Sequence, residues 1–484
     1  MINQIAARVR RILLSAAGNV SLFVTTSFFV TGLLILGPSP WWRMYVDLFE
    51  SYVLIPWGMA LCLLRLEQRE KMDCAKTRWD INVLFVLLIW LVVPFAMRFG
   101  PTFNNVASWY NHTVLFFGIY ALTAEASAAK REELFDLAAL LFSACSLVLG
   151  AVLMYCVVMI KKYGDAQFAF GICDGIYLCA NGHYNTTGMI AVCCALMSLA
   201  GAARLKKMPL RIMSVLSVVL MTLTAVLTQS RTARYALIVG YALMAYGELA
   251  ARLRVKRAFL RHAAALAAAC VVAVAGYGAA DMISDAAIAH YNRAQQKRVE
   301  VSLVPIAAAE ENTQEAKAES TPKPAKAKVK TYRARKAADS SFSGRTAIWR
   351  NLFQRWKDYP KYLIMGHGIG RIGGMVTENT IHEGREAVSI HNTYLQFIAD
   401  YGLVGFGLLC VFFALIAVPL VRVFFACGTQ ALPGYRALCA IVAASLLTGM
   451  MESAPLGAMT PMNIVFFFAL ALLCAAGCDM KKEK

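Results

Sequence analysis

His391 and Asn392 stand directly before an apolar run in SIHNTYLQFIADYGLVGFGLL, Ser389 to Leu409. Asparagine is a favoured residue for capping the first turn of a helix. The positive end of a helix disfavours protonation of a nearby imidazole, and a neutral imidazole can accept a proton as a general base. The same end also suits anions such as phosphate. A second polar group lies in LTQSRTARYAL, residues 227–237, where Arg231 and Arg234 separate two apolar runs. An arginine in mid-membrane costs about 2.5–3.5 kcal/mol on insertion scales. Its planar fork also donates two parallel hydrogen bonds to a phosphate. Arg345, in SGRTAIWRNLFQRWKDYP, is a third such cation. A base and arginines at a membrane lip suggest group transfer from a lipid-linked phosphate. Read blandly, Asn392 only caps, His391 is interfacial and the arginines snorkel.

The elements that must position these residues are membrane helices. The chain of 484 residues is 59% hydrophobic and 16% charged, against roughly 25% charged in soluble proteins. A helix needs about 20 apolar residues to cross a bilayer. Twelve runs are read as spans: about 20–36, 44–64, 81–97, 113–127, 134–160, 183–203, 212–228, 235–251, 263–281, 393–421, 437–451 and 462–478. Taking the N-terminus inside, the short inner segments hold 24 Lys and Arg and the short outer loops six. That bias places both termini in the cytoplasm. Arg231, Arg345 and His391 then fall on one outer face. The net charge of +19 is therefore a topology signal, and no nucleic-acid partner is expected.

The division expected is helices 1–9 in residues 1–281, a large outer loop in 282–392, helices 10–12 in 393–478 and a cytoplasmic tail in 479–484. Within the loop, 306–340 is rich in Ala, Lys, Glu and Pro and reads as lacking order. The lysine-rich stretch 317–336 has no assigned role. Residues 343–359 read as an amphipathic helix, with Ile348, Trp349, Leu352, Phe353 and Trp356 on one stripe. That helix could lie on the membrane surface or pack on the rest of the loop. The glycines of MGHGIGRIGG lack a flanking strand, which argues against a nucleotide loop. Cys173 and Cys179 share an outer loop, and an oxidising compartment would allow them to pair. No Cys/His spacing suggests zinc, so no metal and no cofactor are expected.

Three motifs carry a family resemblance: HNTYLQFIADYGLVG at 391–405, SRTARYAL at 230–237, and SGRTAIW with MGHGIG across 343–370. Their order and spacing resemble the O-antigen ligase/polymerase superfamily of bacterial polysaccharide membrane proteins. The resemblance implies an all-α polytopic membrane protein of about twelve helices, GT-C-like, with one large periplasmic loop, in the bacterial inner membrane. It implies an inverting, metal-independent glycosyltransferase that moves an undecaprenyl-diphosphate-linked glycan to an acceptor hydroxyl. His391 would be the base, with Arg231 and Arg345 holding the diphosphate. His183 and Asn185 would line the acceptor site, Asn392 would orient His391 or simply cap the helix, and Arg234 would be a further substrate-binding residue. Acceptors consistent with the resemblance are lipid A-core, which is favoured, another lipid-linked repeat, or a protein hydroxyl. GPSPWWR in the first outer loop lacks the paired acids of metal-using relatives of the wider fold. From a different class, a transporter of lipid-linked sugars would place polar residues near mid-membrane in two related halves. A third reading is a surface anchor for anionic polymers.

Overall fold

The computed structural model describes residues 114–163, 170–173, 177–180, 184–253, 257–311, 345–368, 390–426, 434–452 and 460–482, with isolated positions before residue 58. The first three expected spans lie almost wholly outside the described residues. Eleven helices and one small sheet are described: α1 (Val114–Glu125), α2 (Ala128–Met159), α3 (Tyr184–Arg204), α4 (Met208–Leu227), α5 (Arg231–Arg252), α6 (Ala258–Glu311), α7 (Arg345–Asp358), α8 (Pro360–Met365), α9 (Thr393–Ala426), α10 (Tyr435–Gly449) and α11 (Pro461–Lys482). Among the described residues, six helices are long and apolar enough to cross a membrane: Ala128–Met159, Tyr184–Arg204, Met208–Leu227, Phe259–Gln296, Thr393–Ala426 and Pro461–Met480. The chain is a mainly helical, multi-pass membrane protein.

Helices prevail because lipid offers no partner for backbone N–H and C=O groups, and a helix satisfies them internally. Centrally placed α11 buries Ile464 through Ala475 almost completely. Phe467 meets Phe116 of α1, and Phe468 meets Phe28, both edge to face. By contrast, α9 exposes Val404, Val411, Leu415 and Val418, which recur every three to seven residues along one side. Such a stripe is an ordinary lipid-facing surface for a spanning helix.

Polar clusters mark the two ends of the bundle. At one end, Arg204 pairs with Glu132 and Asp136, each at 2.7 Å, and the Tyr435 hydroxyl donates to Glu132 at 2.7 Å. Arg131 pairs with Asp479 at the same end. These residues occupy the start of α2, the end of α3, the start of α10 and the end of α11. The starts of α3 and α9 and the end of α10 meet at the other end, around Glu452.

Three features depart from the sequence reading. A three-stranded antiparallel sheet, β1 (Lys162–Tyr163), β2 (Phe170–Cys173) and β3 (Tyr177–Cys179), lies between α2 and α3. Its strands pair Tyr163 with Phe170 and Gly171 with Cys179. Cys173 and Cys179 are buried thiols on one face of this sheet, packed with Tyr177 and Tyr184. Helix α6 continues to Glu311, past the expected boundary at 281 and into the stretch 306–340. Its alanine, glutamine and arginine content supports helix well beyond the bilayer. The remainder of 306–340, including the lysine-rich stretch, lies outside the described residues.

The third departure is a break in α9 at Gly402, with φ 72° and ψ −179°. Gly366, with φ 74°, faces it. A Cβ on Gly402 would sit 2.1 Å from the Ile364 carbonyl oxygen, and one on Gly366 would sit 2.4 Å from that of Asp400. The break releases the Ala399 and Asp400 carbonyls, and the His367 and Gly368 amides donate to them at 2.6 and 3.1 Å. Met365–Gly368 thus forms a backbone interlock with α9.

Candidate active site

The first half of α9 is built to present His391. The Asn392 side-chain oxygen accepts from the backbone N–H of Tyr394 and of Leu395, both at 3.0 Å, so it caps the helix. Its amide donates to the Met450 carbonyl at 3.0 Å, which ties the cap to the end of α10. His391 takes a positive φ of 52°, a left-handed conformation in which His and Asn are enriched. On its N-terminal side, Ile390 is held twice. The Trp349 indole donates to its carbonyl at 3.0 Å, and its N–H donates to Gln396 at 3.2 Å.

Glu452 lies just beyond α10 and gathers the site. Its carboxylate accepts from Arg345 at 2.5 Å and from Asn185 at 3.0 Å, both through Oε1. Its Oε2 stands 3.1 Å from His391 Nδ1. Its backbone carbonyl accepts from Thr393 twice, from the N–H at 3.1 Å and the hydroxyl at 2.8 Å. The side chain is only 8% exposed, whereas His391 is 38% exposed. Burial works against ionisation of Glu452. The His391 hydrogen bond and the charge of Arg345 outweigh it and hold the carboxyl below its ordinary value. A carboxylate only accepts, so His391 Nδ1 carries a proton and the lone pair of the neutral ring falls on Nε2.

Arg345 reaches this point because α7 packs its stripe on α9. Ile348, Leu352 and Trp356 are buried against Ile390 and Ala399. The stripe therefore faces protein, not lipid, while Phe353 remains exposed. Asn185 is placed by α3, whose first turn is tied to β3. Thr187 donates to the Ala180 carbonyl at 2.6 Å and accepts from the Ala180 N–H at 2.7 Å.

Arg231 begins α5, which packs against α6, α10 and α3. A Cβ on Gly188 of α3 would lie 2.6 Å from Ala233 and 3.2 Å from the Ser230 side chain. The starts of α3 and α5 are therefore adjacent, and Arg231 stands at the same end of the bundle as Asn185. Arg234 is turned elsewhere. It is buried and donates to Asp281 at 3.0 Å and to Ser284, both on α6. His183 lies outside the described residues. Glu452 did not figure in the sequence reading. The available signal was an acid at the end of an apolar run, in MESAP.

Comparison with known proteins bears on residues 216–410, which match the family model described as O-Antigen ligase. No curated protein matches the chain. The matched span takes in Arg231, Arg345 and His391 and stops before Glu452. That domain, which runs from α4 into α9, supports a place for the chain in the O-antigen ligase superfamily.

Proposed function

We propose that the protein is an inverting, metal-independent glycosyltransferase of the inner membrane, with its site facing the periplasm. Its donor is an undecaprenyl-diphosphate-linked glycan and its acceptor a hydroxyl, most favourably on lipid A-core. The supporting observation is the convergence of His391, Arg345 and Asn185 on Glu452, at one end of an apolar bundle that carries an O-antigen ligase domain.

In this reading, His391 Nε2 takes the proton of the acceptor hydroxyl as its oxygen attacks the anomeric carbon. The bond from that carbon to the diphosphate oxygen breaks, and polyprenyl diphosphate leaves with the electron pair. The imidazolium that forms keeps its Nδ1 proton and donates it in a hydrogen bond to the Glu452 carboxylate, which stabilises the new charge. Arg345 spends one N–H on Glu452 and has four others for the diphosphate. With Arg231 it meets the negative charge that develops on the leaving oxygen. Asn392 shapes the lip by capping α9. Arg234 supports this end of the bundle through α6. A lipid-linked repeat or a protein hydroxyl as acceptor would use the same donor handling.

The test is surface-glycan display in a strain lacking the protein, complemented with the wild type or with His391→Ala at matched membrane levels. Loss of glycan on lipid A-core with accumulation of lipid-linked glycan supports the ligase. Short chains on lipid A-core would indicate a polymerase. Full display from His391→Ala would remove the base and favour a transporter.

A further inference from the structure

The segment after α7 has a surface that the chemistry above does not use. Tyr359 and the short helix α8 leave Tyr359, Ile364 and Met365 exposed, with Ile364 49% exposed. Lys357 and Lys361 are exposed beside them. The Arg355 guanidinium lies 5.5 Å from the Tyr359 ring centre, and Lys361 Nζ lies 5.2 Å from that of Tyr362. Aromatic rings and long cations around an apolar tip are the composition of a membrane–water boundary.

The position of the tip decides what covers it. The Ile364 carbonyl abuts Gly402, and the exposed Leu403 (45%) and Val404 (44%) follow directly. Leu403 and Val404 begin the stripe that continues through Val411, Leu415 and Val418, along a helix long and apolar enough to span the bilayer. Ile364 and Met365 therefore extend a lipid-facing surface beyond the break in α9.

We propose that the Tyr359–Met365 tip is seated in the leaflet on the site's side of the membrane, with Ile364 and Met365 among lipid chains and Lys357 and Lys361 at the headgroups. The inference rests on the membrane-spanning character of α9 and not on the proposed reaction. Its consequence for the site is mechanical. The tip is joined to α9 by the Gly366–Gly402 interlock and is continuous with α7, which carries Arg345. Lipid contact thus fixes the depth at which Arg345 and His391 meet the bilayer.

The experiment places the photo-crosslinking residue p-benzoylphenylalanine at Ile364 in the full-length protein, reconstituted in phospholipid nanodiscs. Val418, on the exposed stripe of α9, is the lipid-facing control. Gln354, on the outward side of α7, is the water-facing control. Tyr359 is a second tip position, should the Ile364 substitution fail to fold. Phospholipid adducts are read by mass spectrometry on monodisperse protein. The expected result is a phospholipid yield at the tip comparable to that at Val418, with Gln354 at background. Background yield at both tip positions, or adducts to a second copy or to another segment of this chain in place of lipid, would overturn the proposal.

Discussion

Replacing Glu452 with glutamine changes one atom of the site and should reverse the tautomer of its base. Oε1 of Glu452 is fixed by two donors, Arg345 at 2.5 Å and Asn185 at 3.0 Å. In Glu452→Gln the amide oxygen must keep that side, because an NH2 there would face two donors. The NH2 then points at His391 Nδ1, which stood 3.1 Å from Oε2. A donor at Nδ1 makes that nitrogen the acceptor and moves the ring proton to Nε2, where the base needs its lone pair. General-base catalysis contributes about 10²–10⁴ in rate. The variant should lose that factor in transfer, about 3–5 kcal/mol of transition-state stabilisation. Stability should fall less. Arg345 and His391 are 21% and 38% exposed, so solvent screens the lost charge and the cost stays at about 1–3 kcal/mol. The backbone carbonyl of residue 452 still holds Thr393, so the fold around the site remains. The assay is single-turnover transfer from a lipid-linked donor by protein in nanodiscs, with the thermal midpoint measured on the same samples. A Glu452→Gln rate within about threefold of wild type, far short of the expected factor, would refute the tautomer argument.

Three further outcomes follow from the same geometry. Gly402→Ala places a side chain in a backbone region that is essentially glycine's, at a cost of about 1–3 kcal/mol before the clash with the Ile364 carbonyl. It should lower the thermal midpoint and the yield in the membrane, and an unchanged midpoint would contradict the interlock. Arg345→Lys keeps a charge but loses the fork, so the donor KM should rise about tenfold, the loss of one charged hydrogen bond; titration with lipid-linked donor reads it. The Glu452 carboxyl is held below its ordinary value of 4.5, so its ion pairs stabilise the fold fully above 4.5 and less as pH falls through the lower folded value. The difference in thermal midpoint between wild type and Glu452→Gln should shrink as pH falls below 4.5.

The legible parts of the molecule were those that local sequence encodes. Asn392 before an apolar run signals a helix cap, and it caps. The spacing of Ile348, Trp349, Leu352, Phe353 and Trp356 signals an amphipathic helix; Ile348, Leu352 and Trp356 of that stripe pack on α9 rather than on a membrane surface, and Phe353 stays exposed. What escaped is tertiary. Glu452 lies 61 residues from His391, in a five-letter context, MESAP, with no motif, and only the meeting of α9 and α10 makes it the centre of the site. The break at Gly402 was hidden because glycines are ordinary in membrane helices; its partner, Gly366, lies in a different loop. The strands before α3 hold two to four residues each, too few for an alternating pattern to register. Arg234 read like Arg231 by type and position. Only the docking of α6 separates them, through Asp281 and Ser284.

The most direct test of His391 as base is single-turnover glycan transfer by purified wild-type and His391→Ala protein, matched for folded fraction, with the lipid-linked donor and acceptor both saturating. The variant should still bind donor and lose a factor of about 10²–10⁴ in transfer rate. Transfer at the wild-type rate by His391→Ala would contradict it.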